Sequence, residues 1–391
     1  MPASDFSPIR LGMVGGGQGA FIGAVHRIAA RLDGQFVLVA GALSSDPARA
    51  HTSAAELGIA QDRAYADFRE MAATEAARAD GIEAVAIVTP NHMHFPAAKA
   101  FLESGIHVIC DKPLTSTLAD AKELAGIAET SGRVFVLTHN YTGYPMVRHA
   151  RELVHAGALG DIRVVNVEYA QDWLTEKAEA TGSKQAEWRT DPAKSGAGGA
   201  TGDIGTHAYN LARFVTGLEL DSLSADLAAF VPGRRLDDNA HVLLRFRQRG
   251  DTPPAKGLLW ASQVAPGNEN ALGLRVFGTK GGLEWHQERP NHLWFTPFGQ
   301  EKRLISRNGA GAGPAAARVS RVPAGHPEGY LEGFANIYAE AARAIRAART
   351  GSKPPQDVVF PGARDGVEGV AFVEACVESS RRDGAWTKLA L

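Results

Sequence analysis

Three ionisable residues of this chain, Lys112, Asp203 and His207, have types and spacings suited to proton transfer. Asp203 and His207 are four residues apart, so they share one face if a helix begins near Asp203. A carboxylate beside an imidazole fixes the tautomer of the ring and raises its basicity, and a nearby ammonium favours the alkoxide form of a hydroxyl. The three residues are therefore suited to the oxidation of an alcohol, with His207 removing the proton and Lys112 stabilising the developing charge.

Each of these residues also has an ordinary structural interpretation. Lys112, which follows a short apolar run, could be a surface lysine, and Asp203 could cap a helix that contains a structural His207. The glycine-rich stretch around Asp203 allows close approach of the backbone to a ligand, which favours the chemical interpretation.

A glycine-rich turn near the start of the chain follows an apolar strand pattern and precedes a helical one. Gly15, Gly17 and Ala20 meet the pattern G-x-G-x-x-G/A, and Gln18 and Gly19 complete the turn. Small residues let the backbone approach a pyrophosphate, and the first N–H groups of the next helix favour an anion. The turn predicts a bound dinucleotide, whose nicotinamide would accept the hydride of an alcohol. The alternative is a tight turn without a ligand.

The end of the second predicted strand bears on which dinucleotide binds. An acidic residue here would accept hydrogen bonds from the adenosine ribose, but the chain has Ser44 and Ser45. A serine tolerates a 2′-phosphate and Arg49 could neutralise it, so the sequence permits NADP as well as NAD. Arg49 could equally be a solvated helix residue, and Asp46 is better interpreted as a helix cap.

A second polar loop, Pro90-Asn91-His92, follows the third predicted strand. Loops at the carboxyl ends of parallel strands face the ligand crevice, so we expect this loop to contact the nicotinamide ribose. For His94 we favour a helix-capping or structural role.

Composition and motifs exclude several other classes of protein. Lys and Arg number 41 and Asp and Glu number 43, so no global field attracts nucleic acid or anionic lipid. Cys110 and Cys376 give neither a disulfide framework nor metal-ligand spacing, and we expect both to be small buried residues. The chain has no H-E-x-x-H motif and no G-x-S-x-G motif, so we predict no metal and no serine hydrolase.

At 391 residues the chain is longer than one hydrophobic core usually sustains. We predict a nucleotide-binding domain at residues 1–141 and a substrate-binding and oligomerisation domain at 142–391, whose last residues could return to pack on the first domain. The amino terminus lacks a basic segment followed by an apolar run, which favours a cytoplasmic location.

The patterning predicts a different fold class for each half of the chain. Up to about residue 139, short Val-, Ile- and Leu-rich runs alternate with helical patterns, which indicates an α/β domain with a doubly wound parallel sheet. After a helix at residues 145–155 the strands become longer and partly alternating, which indicates a mostly antiparallel sheet. Residues 175–201 and 306–325 lack regular patterns and are expected to form loops near a site.

Four short motifs resemble those of the Gfo/Idh/MocA family of sugar and inositol oxidoreductases, and the likeness covers nearly the whole chain. They are Gly15-Gly16-Gly17, Thr89-Pro90-Asn91-His92, Cys110-Asp111-Lys112-Pro113 and Gly202-Asp203-Ile204-Gly205-Thr206-His207. The resemblance implies an N-terminal Rossmann domain and a C-terminal α+β domain with a large open sheet, through which family members often form homodimers or homotetramers. It also implies NAD(P)-dependent oxidation or reduction of a polyol or sugar.

The resemblance assigns catalysis to Lys112, Asp203 and His207, and it places Asp111 and Lys112 beside the cofactor. Asp111 departs from the family pattern, which has glutamate at this position. Family members that accept NADP tend to have a serine and a basic residue after the second strand, as this chain has in Ser44 and Arg49.

The resemblance also implies residues for the substrate. Besides Lys112, Asp203 and His207, the positions that face the sugar in the family correspond to Tyr141, Trp188, Arg189 and His326. Aromatic faces and hydrogen-bonding tips suit a ring with several hydroxyls, although Tyr141 and Trp188 also suit a core. We therefore expect a dehydrogenase that acts on a secondary hydroxyl of an inositol or pyranose. The alternatives are a glycosidase of the same family that oxidises its sugar transiently, and a cofactor-binding sensor without catalysis.

Overall fold

A computed structural model describes residues 7–248 and 250–391. Its strands are β1 (Ile9–Gly15), β2 (Phe36–Ala42), β3 (Ala84–Val88), β4 (His107–Cys110), β5 (Phe135–Leu137), β6 (Ile162–Ala170), β7 (Leu220–Ala228), β8 (Asn239–Phe246), β9 (Lys256–Ser262), β10 (Ala271–Gly278), β11 (Gly281–His286), β12 (His292–Pro297), β13 (Arg303–Ser306) and β14 (Thr387–Lys388). Its helices are α1 (Phe21–Leu32), α2 (Pro47–Glu56), α3 (Phe68–Ala77), α4 (His94–Glu103), α5 (Leu118–Ser131), α6 (Pro145–His155), α7 (Lys184–Arg189), α8 (Pro192–Ser195), α9 (Thr206–Thr216), α10 (Pro314–Ala317), α11 (Tyr330–Arg349) and α12 (Ala363–Arg381).

The chain forms two compact units. The first takes in the described residues up to Thr115, together with Ala119–Gly143 and Tyr330–Gly366. The second takes in Ser116–Leu118, Tyr144–Gly329 and Val367–Leu391.

The first unit contains a five-stranded parallel sheet in the order β2-β1-β3-β4-β5. Every residue of β3 and β4 is buried, as expected for strands that are covered by helices on both faces. The order reverses between β1 and β3, so the carboxyl ends of these two strands define the crevice in which ligands bind in such folds. The predicted doubly wound parallel sheet is confirmed.

Helix α11 belongs to the first unit, although the sequence analysis assigned its residues to the second domain. Phe334, Ile337, Ala341 and Ile345 recur at helical spacing and are buried in the same core as the strand β1. This apolar stripe packs against α1 and completes the first core, so the predicted boundary differs from the structure for residues 330–366.

The second unit is built on a nine-stranded sheet in the order β13-β12-β11-β10-β6-β9-β8-β7-β14. Strands β6 and β9 pair in parallel, and the other pairs are antiparallel, which confirms the predicted mostly antiparallel sheet. Helix α9 packs on β6, β9 and β10, where Val165, Val167 and Leu274 are buried. The other face of the sheet is open, since Val164, Leu258, Phe277 and Leu243 are 38%, 41%, 42% and 51% exposed.

The end of the chain completes this second sheet. Thr387 pairs with Leu223 of β7, and the hydroxyl of Ser224 donates to the carbonyl of Gly384 at 2.6 Å. The expectation that the last residues pack on the first domain is therefore corrected, because unpaired backbone groups of the edge strand β7 bind them.

The two stretches expected to be irregular contain short helices. Residues 175–201 include α7 and α8, each begun by a capping side chain, Ser183 and Asp191 respectively. Residues 306–325 include α10, and the buried Arg307 donates to the carbonyls of Val322 and Pro323 in that stretch. Among the described residues, no helix is both long and apolar enough to span a bilayer.

Candidate functional site

The glycine turn of the first unit needs glycine for two separate reasons. Gly15, Gly16 and Gly19 have φ angles of +79°, +73° and +79°, which L side chains rarely adopt. At Gly17 the reason is space, because a Cβ would lie 2.7 Å from the carbonyl oxygen of Leu43 and 2.9 Å from Oγ of Ser53. The predicted turn residues therefore form a surface to which a ligand can approach the backbone closely.

The close packing of this turn on α1 depends on Gly23, which the sequence analysis missed. A Cβ on Gly16 would lie 2.9 Å from the Cα of Gly23, and a Cβ on Gly23 would clash with the backbone of Gly16. Ala20, to which the third small position of the motif was assigned, instead precedes the first residue of α1. Gly23 lies three residues beyond the motif, so the pattern alone gave no signal for it.

The start of α1 fits the pyrophosphate of a dinucleotide. Ala20 has no side chain to cap the helix, and the first turn contains no acidic residue, so the first N–H groups and the dipole of the helix favour an anion. Thr89 lies against Gly15, and its buried Oγ1 has no hydrogen-bond partner within the described residues. A buried hydroxyl of this kind is expected to pair with a ligand.

The side chains of Arg27, Ser53 and Glu56 help to line a cavity of about 390 Å³ beside the turn. The guanidinium of Arg27 donates to the carbonyl of Gly16 at 2.6 Å, and burial lowers the pKa of Arg27. The backbone N–H of Gln18 donates to Ser53 at 3.1 Å, and its amide donates to Glu56 at 2.6 Å. These contacts hold the turn against α1 and α2.

The segment after β2 contains Asp46, which the sequence analysis interpreted as a helix cap. Its carboxylate accepts from the backbone N–H of Arg49 at 2.8 Å and caps α2. Ser44 is half-buried and accepts from the N–H of Asp46 at 3.1 Å, whereas Ser45 and the side chain of Arg49 are exposed. No acidic side chain stands at the position of Ser44.

The three residues of the loop after β3 differ in their exposure to solvent. Pro90 is exposed and precedes a single helical turn, Asn91–Met93. Asn91 is buried and His92 is exposed. The predicted contact of all three residues with a nicotinamide ribose stays a prediction.

His94 joins this loop to the loop that contains Lys112. Its Nε2 lies 2.9 Å from the carbonyl oxygen of Thr89, and its Nδ1 lies 2.7 Å from the carbonyl oxygen of Pro113. Burial lowers the pKa of His94, against the opposing effects of Asp111 and of the two carbonyls. A neutral ring donates to one carbonyl and an imidazolium to both. The structural role expected for His94 therefore consists of bridging two loops at the carboxyl ends of β3 and β4.

Asp111 fixes the backbone at Lys112. Its Oδ1 accepts from the N–H of Lys112 at 2.9 Å and from the hydroxyl of Thr138 at 3.0 Å, and it lies 4.0 Å from Nε2 of His26. The shorter carboxylate of this chain, compared with the family's glutamate, is thus directed at β5 and α1. Burial lowers the pKa of His26 to about 4, although Asp111 acts in the opposite direction.

Residues that follow β5 lie near Lys112. Burial lowers the pKa of His139 to about 3, and the ammonium of Lys112 contributes to this shift. Asn140 is buried, and its amide nitrogen has no partner within the described residues, so it is a candidate donor that the sequence analysis missed. Tyr141 is 4% exposed in the helical turn Asn140–Gly143, which is compatible with its predicted role and with the core alternative.

In the second unit, Asp203 and His207 lie on one continuous helical segment. A π-helical turn, Thr201–Gly205, leads directly into α9, whose second residue is His207. Asp203 stands inside the turn rather than before it, so it is not the helix cap that we considered as an alternative. The wider turn of a π-helix is often found at functional sites.

Two donors hold the carboxylate of Asp203. Nε of Arg189 donates to its Oδ2 at 3.1 Å, and the amide of Gln263 donates to the same oxygen at 3.0 Å. The guanidinium of Arg189 lies 4.2 Å from the ring centre of Trp188 and 6.0 Å from that of Trp173. The structure thus brings Trp188, Arg189 and Asp203 together, and their predicted contact with a substrate stays a prediction.

A polar row on the neighbouring strands extends this group. The hydroxyl of Tyr169 and the amide of Gln171 donate to Oδ1 of Asn270 at 2.7 and 2.8 Å, and the ring of Tyr169 lies 6.2 Å from that of His207. Gln263 and Asn270 were missed, because the sequence does not give the register that places strand ends beside Asp203. Grouped donors, acceptors and aromatic faces of this kind suit a ligand with several hydroxyls.

His326 has different surroundings. Its imidazole is exposed, and the hydrogen bonds of this residue are made by its backbone, to Pro323 and Arg307. No hydrogen bond of the described residues joins it to Asp203. The predicted contact of His326 with a substrate stays a prediction.

The fold and the glycine turn define the class of this protein as an oxidoreductase with an NAD-binding Rossmann domain. Residues 9–139 match the model of the oxidoreductase family with an NAD-binding Rossmann fold, and residues 147–284 match the GFO/IDH/MocA C-terminal domain. The chain belongs to the Gfo/Idh/MocA family of oxidoreductases.

Several relatives resemble the chain over most of its length. An oxidoreductase from Sinorhizobium meliloti is 62% identical in sequence, with a TM-score of 0.88 and coverage of 97% of this chain and 99% of that chain. An inositol dehydrogenase homologue from Azotobacter vinelandii, solved with NAD⁺, is 37% identical, with a TM-score of 0.92 and coverage of 98% and 97%. The same homologue has been solved with NADH and myo-inositol. Levoglucosan dehydrogenase from Pseudarthrobacter phenanthrenivorans is 28% identical over 310 residues, which are 73% of this chain and 75% of that protein.

Proposed function

We propose that the protein is an NAD-dependent dehydrogenase that oxidises a secondary hydroxyl of a cyclic polyol or sugar of inositol or pyranose type. The observation that carries the proposal is the group around Asp203, where a carboxylate held by Arg189 and Gln263 lies one helical turn before His207. The myo-inositol bound by the Azotobacter homologue and the levoglucosan dehydrogenase relative support a substrate of this class.

Each residue of the proposed site has a separate role in the reaction. NAD, when bound at the glycine turn, supplies the acceptor of the hydride. His207 takes the proton of the substrate hydroxyl, and the ammonium of Lys112 stabilises the charge that develops on the oxygen. Asp203 orients the residues that receive the substrate and favours the protonated state of His207. In the reverse direction the same residues return the proton to the carbonyl oxygen, so both directions use one set of groups.

The experiment that tests the proposal mixes the purified protein with NAD and a panel of inositols, aldoses, glycosides and levoglucosan, and it follows the near-ultraviolet absorbance of the reduced nicotinamide. Reduction of NAD by one polyol or sugar supports the proposal. No reduction with any member of the panel contradicts it, and release of an aglycone from a glycoside without net reduction would favour a redox-assisted glycosidase.

We also propose that the enzyme accepts NADP. Ser44 at the end of β2 presents no negative charge to a 2′-phosphate, and the side chain of Arg49 in the first turn of α2 is exposed. Replacing Arg49 by Ala is expected to weaken NADP binding about tenfold while leaving NAD binding nearly unchanged, which calorimetry would measure. Equal effects on both dinucleotides would remove Arg49 from phosphate recognition.

The open face of the nine-stranded sheet is our proposal for a homo-oligomer interface. Leu243, Leu258 and Phe277 form an exposed apolar centre on this face. Leu258→Glu should convert the oligomer to a smaller species in light scattering, whereas Leu32→Glu, at an equally exposed leucine of α1, should not. An unchanged mass for Leu258→Glu would exclude this face.

A further inference from the structure

The connection between β7 and β8 contacts both segments that form the Asp203 group. Its last two residues before β8 are Asp237 and Asp238, and it also contains the buried Arg234. None of these residues was singled out by a sequence motif.

Asp237 holds the turn that leads to Asp203. Its Oδ1 accepts from the N–H of Gly199 at 2.7 Å, and its Oδ2 accepts from the N–H and the hydroxyl of Thr201 at 2.8 and 2.7 Å. Its carbonyl accepts from the N–H of Ala200 at 2.8 Å. A side chain at Gly199 would clash with that carbonyl, so the approach of the two segments also requires glycine. One aspartate thus satisfies the N–H groups of Gly199, Ala200 and Thr201, at the start of the π-helical turn.

Arg234 holds the other segment. Its guanidinium, 1% exposed, donates to the carbonyls of Leu174 and Glu176 at 3.0 and 3.2 Å. It also forms a two-pronged ion pair with Glu179, at 3.2 and 3.1 Å, and donates to Asp238 at 3.0 Å. Such planar, two-pronged recognition fixes orientation as well as distance.

The segment held by Arg234 supports α7. This helix packs on the helical turn Ala178–Ala180, and its last residue is Arg189, which donates to Asp203. Asp237 therefore holds the segment that leads to Asp203, which supplies the carboxylate of the Asp203–Arg189 pair. Arg234 holds the segment that supports Arg189, which supplies the guanidinium. A single connection sets the position of both members.

We propose that Asp237 and Arg234 are positioning residues of the substrate site, which act through the Asp203–Arg189 pair and do not touch the substrate. This inference rests on the proposed role of Asp203 in binding and oxidising a polyol. Because a displacement of about 1 Å at a reacting group can cost about 100-fold in rate, small losses of order in these two segments have large catalytic effects.

The test compares Asp237→Asn and Arg234→Lys with Arg63→Lys, a buried arginine of the first unit that pairs with Glu75. Asparagine keeps the shape of Asp237 but cannot accept from both Gly199 and Thr201, and lysine cannot reproduce the two-pronged pair. With myo-inositol and NAD as the probe, both site variants should lower kcat/KM by about 100-fold. Arg63→Lys should leave kcat/KM nearly unchanged, although its loss of thermal stability should be similar to that of the two site variants.

Two further readouts separate positioning from a merely structural role. Adding Arg234→Lys to Arg189→Ala should cause no further loss of kcat/KM, because the first residue acts through the second. Amide hydrogen exchange, measured on the full chain without substrate, should become faster at residues 199–203 in Asp237→Asn and at residues 174–180 in Arg234→Lys.

Different results would contradict the positioning role and the proposed function. Failure of the wild type to oxidise any polyol would contradict the proposed function. Unchanged exchange in both segments, or additive losses in the Arg234–Arg189 double variant, would overturn the positioning role even when the wild type is active.

Discussion

Asp203 accepts hydrogen bonds from an arginine and from a neutral amide at the same carboxylate oxygen. The charged donor stabilises the ionised form, and the amide donor fixes the direction of that oxygen. An aspartate held in this way has a fixed orientation one helical turn before His207. At the scale of single residues, this is the feature on which the proposed chemistry of His207 depends.

His207→Ala and Lys112→Ala test this chemistry. Each substitution removes a group assigned to the proton or to the developing charge, so kcat should fall by about 10² to 10⁴-fold. Binding of NAD, measured by calorimetry, should persist in both variants. A variant with unchanged kcat would remove its residue from the proposed mechanism.

Gly17→Ala tests the space at the glycine turn. The new Cβ would meet the Leu43 carbonyl and the Ser53 hydroxyl, so the turn must shift and the Kd for NAD should rise about tenfold or more. Gly126→Ala is the matched control, because Gly126 is exposed on α5 and a Cβ there meets nothing. That variant should bind NAD normally and gain up to about 1 kcal/mol in stability. Equal Kd values for both variants would contradict the close approach.

The sequence predicted those structural features that follow from local pattern. Asp46 caps α2 as expected, Cys110 and Cys376 are buried as expected, and the glycines of the turn adopt the required angles. Gly23, Gln263 and Asp237 were missed, because each one acts on a residue that is distant in the chain or outside the motif. Their contacts depend on helix packing and strand register, which local patterns do not specify.

At the scale of elements, His94 connects two strand ends by its position at the start of α4. The ring lies between the carbonyls of Thr89 and Pro113, so α4 sets the spacing of the loops after β3 and β4. One of these loops contains Asn91 and the other contains Lys112. Any movement of α4 would therefore change the position of both.

His94→Phe should show the cost of losing this connection. Phenylalanine fills the space but leaves a buried carbonyl without its donor, so the free energy of unfolding should fall by about 1–3 kcal/mol. His92→Phe, at the exposed neighbouring histidine, should change it by less than about 0.5 kcal/mol. Urea denaturation measures both values, and similar stabilities for the two variants would show that the carbonyls do not depend on His94.

Elements with a strong periodic pattern were predicted well, and short edge strands were not. The predicted helix at residues 145–155 and the predicted doubly wound parallel sheet agree with the structure. Strands β11 to β14 were not predicted, because they are short and contain Gly, Pro and polar residues that the sheet tolerates near its edges. The membership of α11 in the first core was missed as well, because an apolar stripe shows that a helix is buried but does not identify its partner.

At the scale of the whole molecule, buried histidines make stability depend on pH. Burial is the main cause that lowers the pKa of His26 and His107 to about 4 and that of His139 to about 3, from an ordinary value of 6.5. The unfolded chain therefore takes up protons at these positions at a higher pH than the folded chain does. Their contribution to stability is complete above about pH 6.5 and is lost progressively as the pH falls toward 4.

His107→Gln tests this dependence. Glutamine can still accept from the N–H of Val134, as His107 does at 2.9 Å, but it does not titrate. The decrease in the free energy of unfolding between about pH 7 and about pH 5 should be smaller in this variant than in the wild type. His51→Gln, at an exposed histidine, should leave the decrease unchanged. An unaltered pH dependence for His107→Gln would show that His107 does not contribute to it.

The participation of α11 in the first core bears on the order in which the protein matures on the ribosome. The strands β1 to β5 emerge early, but α11, which packs on α1 and shares their hydrophobic core, follows the whole stretch Tyr144–Gly329. The second sheet acquires β14 only when residues 387 and 388 pair with β7. Nascent chains that stop before residue 330 therefore expose the apolar surface that α11 covers, and exposed apolar surface of this kind makes a folding chain prone to aggregation.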